Sequence, residues 1–394
     1  MVIKVVLQSL LLTLSATATS ATNMNADQAF TAGNFAEAYA AYASQLKQYP
    51  KDVHALARAA ELDLYDDRLD EADRQFHALQ ALDPKSVPAR RGLAEIAARR
   101  GTGGQYNITS TSATATLPFL ASEPLPVIKL KLNGTREANF MIDTGAPGVV
   151  IDPAVAKSLG LELKSGGVGM FGGGASGQIM ETQIGKINAG GMEVQNVPAI
   201  AMPLNDAPAP KGMKIDGIIG TSFFYHFLAT IDFAAQRLVL RPRSSSAAFA
   251  REAAERGDAI AEMWYVPDHF IFAKAQINGN YTALLNVDTG GEGFGLQATK
   301  PTVDAAGIAL DTAHPGKFMT PVGEVPIIPF KAKVALGPHR AMQVDGKYFP
   351  SGDQYGIFPF SVGGTLSDQF FRGAAVTFDF EQMLLVVSAG VVEK

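Results

Sequence analysis

Two short strings in this 394-residue chain carry the residue types needed for acid–base chemistry. Asp143-Thr144-Gly145 and Asp288-Thr289-Gly290 each follow an apolar stretch, Phe140-Met141-Ile142 in one case and Leu284-Leu285-Asn286-Val287 in the other. Each is preceded by an apolar-Asn-Gly string, Leu132-Asn133-Gly134 and Ile277-Asn278-Gly279, so both the Asn-Gly pairs and the aspartates are 145 residues apart. A single Asp-Thr-Gly would arise by chance in roughly one chain in ten of this length at average residue usage, and then reads most simply as a turn. Two copies in equivalent places are poorly explained that way. Two carboxyl groups held side by side resist ionising together and keep one proton between them. The ionised member of such a pair can take a proton from a water while the protonated member donates to a carbonyl oxygen. Because the pair titrates as a unit, Asp143 and Asp288 are given no separate roles.

Chemistry of this kind needs a frame that brings two distant loops together. From about residue 113 the chain alternates short apolar runs with Gly, Pro and Asn-Gly, the texture of strands and hairpins. Val127 to Leu132 reads as one strand, closed by a turn at Asn133-Gly134. A polar, Ala-rich segment over 241–258 separates two stretches of similar length, giving lobes at 113–245 and 246–394. Gly217-Ile218-Ile219-Gly220-Thr221 in the first half is matched to Ser361-Val362-Gly363-Gly364-Thr365 in the second. Thr230-Ile231-Asp232-Phe233 is matched to Thr377-Phe378-Asp379-Phe380, and the second copy then needs a three-residue insertion between the matched pieces.

Residues 24–100 have a different texture, rich in Ala, Leu, Glu, Arg and Gln, which favours helix. Gly33-Asn34-Phe35-Ala36-Glu37-Ala38 is echoed at a spacing of 34 by Asp67-Arg68-Leu69-Asp70-Glu71-Ala72, with Tyr42 falling on Phe76 and Pro50 on Pro84. The segment resembles the tetratricopeptide repeat. The acidic residues Asp63, Asp66, Asp67, Asp70 and Asp73 read as a solvated helix face. Residues 101–112, rich in Gly, Thr and Ser, read as a linker.

The doubled motif and its flanks resemble the pepsin and retropepsin-like aspartic peptidases, in particular a bacterial two-lobed member with an N-terminal repeat domain. The resemblance covers the chain from about residue 113 onward. It implies an all-β two-lobed fold behind an all-α repeat domain, and an aspartic-type endopeptidase with Asp143 and Asp288 as the catalytic pair. It also implies that Thr144 and Thr289 link the loops by hydrogen bonds to the opposite backbone. Gly145 and Gly290 would let the backbone approach closely and donate to the carboxylates, and the Gly220 and Gly364 segments would pack beneath. Gly172, Gly173 and Gly174 lie where such enzymes carry a flap hairpin, and a Gly-rich tip suits a mobile lid. Gly167 to Gly172 also satisfies GxGxxG, but no βαβ unit surrounds it, so it is not read as a nucleotide site. Where pepsin-type enzymes place Ser or Thr after Asp-Thr-Gly, this chain has Ala146 and Gly291. Fewer hydrogen bonds to the ionised form leave the pair's pKa values less depressed, so the expected optimum is less acidic than that of gastric pepsin.

The composition narrows the partners. A formal net charge of −5 argues against a phosphate-binding surface, so no nucleic-acid partner is expected. The absence of Cys excludes thiolate nucleophiles and Cys-ligated zinc, and the six His form no HxxxH or HxH pair. No cofactor or metal is expected. Lys4, the apolar run from Val5 to Leu14 and the small residues after it read as a signal peptide over residues 1–21. The mature protein is then periplasmic or secreted and leaves the membrane once the signal is removed. The expected partners are a peptide or protein substrate and a protein bound through the repeats. Two other readings compete with the endopeptidase. One is an inactive peptide-binding module that retains the fold; the other is a repeat-based adaptor.

Overall fold

The computed structural model describes residues 25–389 apart from 103, 111–113, 172–174, 206, 321–322 and 338–339. The signal-peptide reading of 1–21 lies outside the described residues.

The described residues open with five helices: α1 (Ala26–Thr31), α2 (Phe35–Gln48), α3 (Val53–Tyr65), α4 (Leu69–Leu82) and α5 (Val87–Arg99). The pairs α2–α3 and α4–α5 repeat at the spacing of 34 read from the sequence. Asp52 and Ser86 each accept the N–H three residues on, from Ala55 and Ala89, and so start the second helix of each pair. The repeat positions Ala38 and Ala72, and Tyr42 and Phe76, are all buried. Phe76 lies so close over Gly92 that a Cβ there would meet its ring at 2.2 Å.

The acidic face is not uniformly solvated. Asp63 is fully buried and accepts from Arg68 and Gln75. Asp67, in the α3–α4 turn, accepts from the Tyr225 hydroxyl at 3.0 Å and from Arg243 Nη2 at 3.0 Å. Asp63 thus ties the helices to one another, and Asp67 holds them to the β region. The docking is also apolar: Phe30, Phe35 and Tyr65 share a cluster with Trp264, Phe272, Leu284, Phe360 and Val362. The expected linker is not unpaired throughout, since Asn107–Ser110 adds an edge strand beside Met192 to Gln195.

The β region has the two-lobed aspartic-protease fold. Strands Val127–Leu132 and Arg136–Ile142 form the first hairpin of lobe 1, and Phe270–Ile277 with Tyr281–Asp288 that of lobe 2. The Asn-Gly pair takes positive φ in both turns, at Asn133 (47°) and Gly134 (74°) and again at Asn278 (50°) and Gly279 (76°). Both asparagine side chains are used alike, Asn133 Oδ1 accepting from Lys186 N–H at 2.9 Å and Asn278 Oδ1 from Lys333 N–H at 3.0 Å. A six-strand layer joins the lobes, in the order Ala115–Pro118, Arg237–Pro242, Phe227–Asp232, Ala374–Asp379, Leu384–Ala389, Ala259–Val266. At its centre Thr230 faces Thr377 across the antiparallel pair, hydroxyl to hydroxyl at 2.8 Å. That contact marks the approximate two-fold axis relating the lobes.

Candidate active site

Each Asp-Thr-Gly loop follows a strand whose other edge pairs in parallel with a second strand: Arg136–Ile142 with Gly217–Ile219, and Tyr281–Asp288 with Gly364–Ser367. Both strand ends are nearly all buried, which fixes where each loop emerges. The pairing sets Gly217 opposite Phe140 and Gly364 opposite Leu285, an offset of 147 that also relates Thr230 to Thr377. The expected match of Gly220 to Gly364 is therefore out of step by three residues. The structural counterpart of Gly220 is Ser367, and no insertion is needed after it. Two glycines per segment made the slipped match attractive in the sequence; strand register decides against it.

The structure brings Asp143 and Asp288 together. A Cβ on Gly290 would lie 2.0 Å from Asp143 Oδ1, and one on Gly145 would lie 2.5 Å from Asp288 Oδ1. Each glycine thus makes room for the carboxyl of the opposite loop. Each also donates its N–H to the carboxyl of its own loop, Gly145 to Asp143 Oδ1 at 2.7 Å and Gly290 to Asp288 Oδ1 at 2.8 Å. The threonines tie the loops from below and are 1% exposed. Thr289 N–H donates to Thr144 Oγ1 at 2.9 Å, and Thr144 N–H to Thr289 Oγ1 at 3.2 Å. The Thr144 hydroxyl donates to the Val287 carbonyl at 3.2 Å. The two loops are thus linked reciprocally, each threonine hydroxyl accepting the backbone N–H of the opposite threonine.

Burial, and then the charge of Asp288, push the Asp143 carboxyl well above the ordinary carboxylate range. Burial raises Asp288 as well, opposed by the Gly290 N–H, the hydrogen bond with Asp143 and the Lys347 ammonium. A pair raised in this way keeps a proton above the pH at which a solvated aspartate ionises.

The departures at Ala146 and Gly291 have a local reason. A Cβ on Gly220 would meet the Ala146 carbonyl oxygen at 2.3 Å, whereas one on Gly291 would meet Ser367 Oγ at 2.2 Å. Lobe 1 therefore places the side chain on the loop and glycine beneath it, and lobe 2 does the reverse. Ser367 Oγ lies 2.5 Å from the Asp288 carbonyl and 2.8 Å from that of Gly291, so its hydroxyl braces the second loop from below. The flap candidates Gly172, Gly173 and Gly174 lie outside the described residues. The hairpin that bears them runs from Lys164–Phe171 to Ala175–Ala189, and lobe 2 has a topological counterpart in Gly316–Thr320 with Gly323–Leu336.

Two residues near the pair were not singled out in the sequence. His269 and its neighbour Asp268 hold positive φ, 107° and 74°. The His269 Nδ1 is buried without a hydrogen-bond partner, and burial lowers this imidazole to about 4, so it is neutral near pH 7. Lys347 is 4% exposed and faces Asp288. Neither belongs to a repeated motif, which is the signal that exposed the aspartates. Among the described residues no group of three His, Cys, Asp or Glu is placed to hold a metal ion, and no helix is long and apolar enough to cross a membrane.

The fold is of the aspartic-protease type, and it brings two Asp-Thr-Gly loops face to face. Residues 128–223 match the aspartyl protease family, a segment that contains the first Asp-Thr-Gly loop and stops short of the second. Among solved structures, the chain is similar to basic 7S globulin from soybean, with 10% identity over 72% of this chain and 95% of that one at a TM-score of 0.41. It is similar to conglutin gamma, a basic 7S globulin from lupine seeds, with 10% identity, the same coverage and a TM-score of 0.42. It is also similar to a retropepsin-like aspartic protease from Rickettsia conorii, with 18% identity over 35% of this chain and 96% of that one at a TM-score of 0.26. A search of curated proteins gives no match.

Proposed function

We propose that this protein is an exported aspartic endopeptidase, periplasmic or secreted, in which Asp143 and Asp288 activate a water that attacks a peptide carbonyl. The observation that carries the reading is the reciprocal seating of the two carboxyls, each against the glycine of the opposite loop and each raised above its ordinary range. In the reaction the ionised carboxylate takes a proton from water as its oxygen bonds to the carbonyl carbon. The protonated carboxyl gives its proton to the carbonyl oxygen. Collapse of the tetrahedral species breaks the C–N bond: the proton taken from water passes to the leaving nitrogen, and a hydroxyl proton of the diol returns to the carboxyl that protonated the carbonyl oxygen. The buried threonine links keep the two carboxyls in place throughout, so little reorganisation accompanies the charge movement.

The feature that favours an inactive peptide-binding module is the glycine-rich second loop, Gly290-Gly291-Glu292-Gly293. Ser367 braces that loop, which removes the reason to regard it as collapsed. The contacts of the helical repeats favour a scaffold for lobe 2. The substrate class is an unfolded or extended peptide.

The test is incubation of the mature protein with unfolded protein substrates from acidic to neutral pH, beside Asp288→Asn. Cleavage by the native protein and its loss in the variant support the proposal. A folded native protein that cleaves at no pH overturns it in favour of the binding module.

A further inference from the structure

The two lobes differ in character along one row of paired residues. In lobe 1 the row runs Met141, Ile218, Val150, Ile200 across four strands. In lobe 2 the same row runs Asn286, Thr365, Gln297, Lys347. The duplicated frame thus carries a lysine where its other half carries isoleucine, and Lys347 is buried. Its Nζ lies 3.0 Å from the ring centroid of Phe318 and 3.5 Å from that of Phe294, with Phe349 at 5.4 Å. Such faces attract an ammonium. Phe294 belongs to the segment that begins at Asp288, and its ring edge lies 2.6 Å from where a Gly291 Cβ would stand. Phe318 belongs to the lobe 2 hairpin. The cation therefore sits between the second Asp-Thr-Gly loop and the hairpin.

A buried ammonium without a carboxylate in contact is costly, and isoleucine would fill the site more cheaply. The carboxylates facing it are Asp288 and Glu292 from the loop and Asp368 from the short helix Asp368–Phe371. Asp368 is already paired with Arg372 at 2.8 Å. On the hairpin Lys317 is paired with Glu324, and on its own strand Asp345 is paired with Lys331. Asp288 is thus the carboxylate of the pair on which the field of Lys347 falls.

We propose that Lys347 is a positioning residue of the dyad, an ammonium held between Phe294 and Phe318 that keeps the negative charge on Asp288 and leaves the shared proton on Asp143. The direction of the carboxyl shifts agrees: Lys347 opposes the rise of Asp288, while Asp143 is driven up by burial and by the Asp288 charge. Burial draws Lys347 itself down to about 6, against the pull of Asp288, Asp368 and Glu292. Below that pH the ammonium favours the singly ionised pair over the neutral one. The pair then loses its first proton at a lower pH than it would beside an apolar residue. The inference rests on the peptidase reading for its functional meaning, though not for its electrostatics.

The experiment compares native protein, Lys347→Met and Lys347→Ile, the second taking the residue of the lobe 1 row. One readout is the pH profile of kcat/KM; the other is the 13C carboxyl titration of labelled aspartates, assigned with Asp143→Asn and Asp288→Asn. The expected result is an acid limb displaced upward by about one pH unit in both variants, the same displacement in the dyad titration, and a higher Tm. Lys347→Arg should retain the native limb. Coincident carboxyl titrations in a folded Met or Ile variant overturn the inference, because a merely structural lysine would leave them unmoved. If the native protein cleaves nothing, a displaced titration still supports the placement of charge while the peptidase reading falls.

Discussion

At the residue scale, the exchange of side chain and glycine beneath the two loops makes a sharp prediction. Gly291→Ala puts a methyl against Ser367 Oγ and the Phe294 ring, and overpacking of this kind costs about 1–3 kcal/mol. Gly291→Ala/Ser367→Gly recreates the Ala146/Gly220 pair of lobe 1 and should recover stability and cleavage. A thermal-melt cycle over the two single variants and the double checks this: additive losses would contradict the packing account. A second prediction concerns the dyad. A carboxyl whose pKa is raised on folding adds stability at low pH and loses it as pH rises through the folded value. Asp143→Asn keeps an acceptor for the Gly145 N–H but carries no charge. Its Tm should exceed that of the native protein at pH 7, with the gap closing in acid, while cleavage is lost. Melts from pH 3 to 8 read the trend. The aspartates, threonines and glycines of the site were legible because both copies keep identical spacing to an upstream Asn-Gly. Ser367 was not, because it stands where lobe 1 has glycine and a nearby Gly-Gly offered a false register.

At the element scale, the contacts of α5 decide how the helices are held. Arg99, its last residue, donates to the Leu64 carbonyl at 2.7 Å and to the Tyr265 carbonyl at 2.8 Å, and it pairs with Asp67 at 3.3 Å. Its guanidinium also lies over the Tyr265 ring at 4.2 Å. Arg99→Met removes the donor to the Tyr265 carbonyl and one of the two cations beside Asp67, which keeps Arg243 and Tyr225, an expected loss of about 1–3 kcal/mol. Amide exchange should show α4 and α5 losing protection ahead of the joining sheet; uniform loss across both regions would show that Arg99 is not the latch. Periodicity made the helices and their spacing of 34 legible. It could not show that Asp63 and Asp67 are buried, because helical spacing alone places an acidic stripe in solvent. The partners of Asp67, Tyr225 and Arg243, lie 158 and 176 residues further along the chain, while Asp63 is covered locally by Arg68 and Gln75. The edge strand Asn107–Ser110 was hidden for a similar reason: its partner Met192–Ala201 is distant, and the segment's Gly and Ser content reads as linker.

At the scale of the whole molecule, the two lobes are joined through one sheet and the helices cover one of them. The duplication was legible as texture and motif, and the joining sheet follows from it, because two outer strand pairs related by a two-fold can meet edge to edge at Thr230 and Thr377. What the sequence did not announce is that the helical layer closes lobe 2. Trp264, Phe272, Leu284, Phe360 and Val362 are buried against Phe30, Phe35 and Tyr65. Phe35 meets Trp264 and Phe360 edge-on at centroid distances of 5.3 and 5.0 Å. A chain beginning at residue 101 would open this patch to water, and each large aromatic side chain in it brings about 150–250 Å² of surface. That total passes the few hundred Å² that a monomeric surface ordinarily tolerates. The truncated protein should therefore bind a hydrophobic dye, sediment as associated species and melt below the full chain, with cleavage impaired although both aspartates remain. If it sediments as a monomer, melts like the parent and cleaves equally well, the helices are a separable adaptor, and the apolar contacts with lobe 2 contribute nothing the peptidase fold requires.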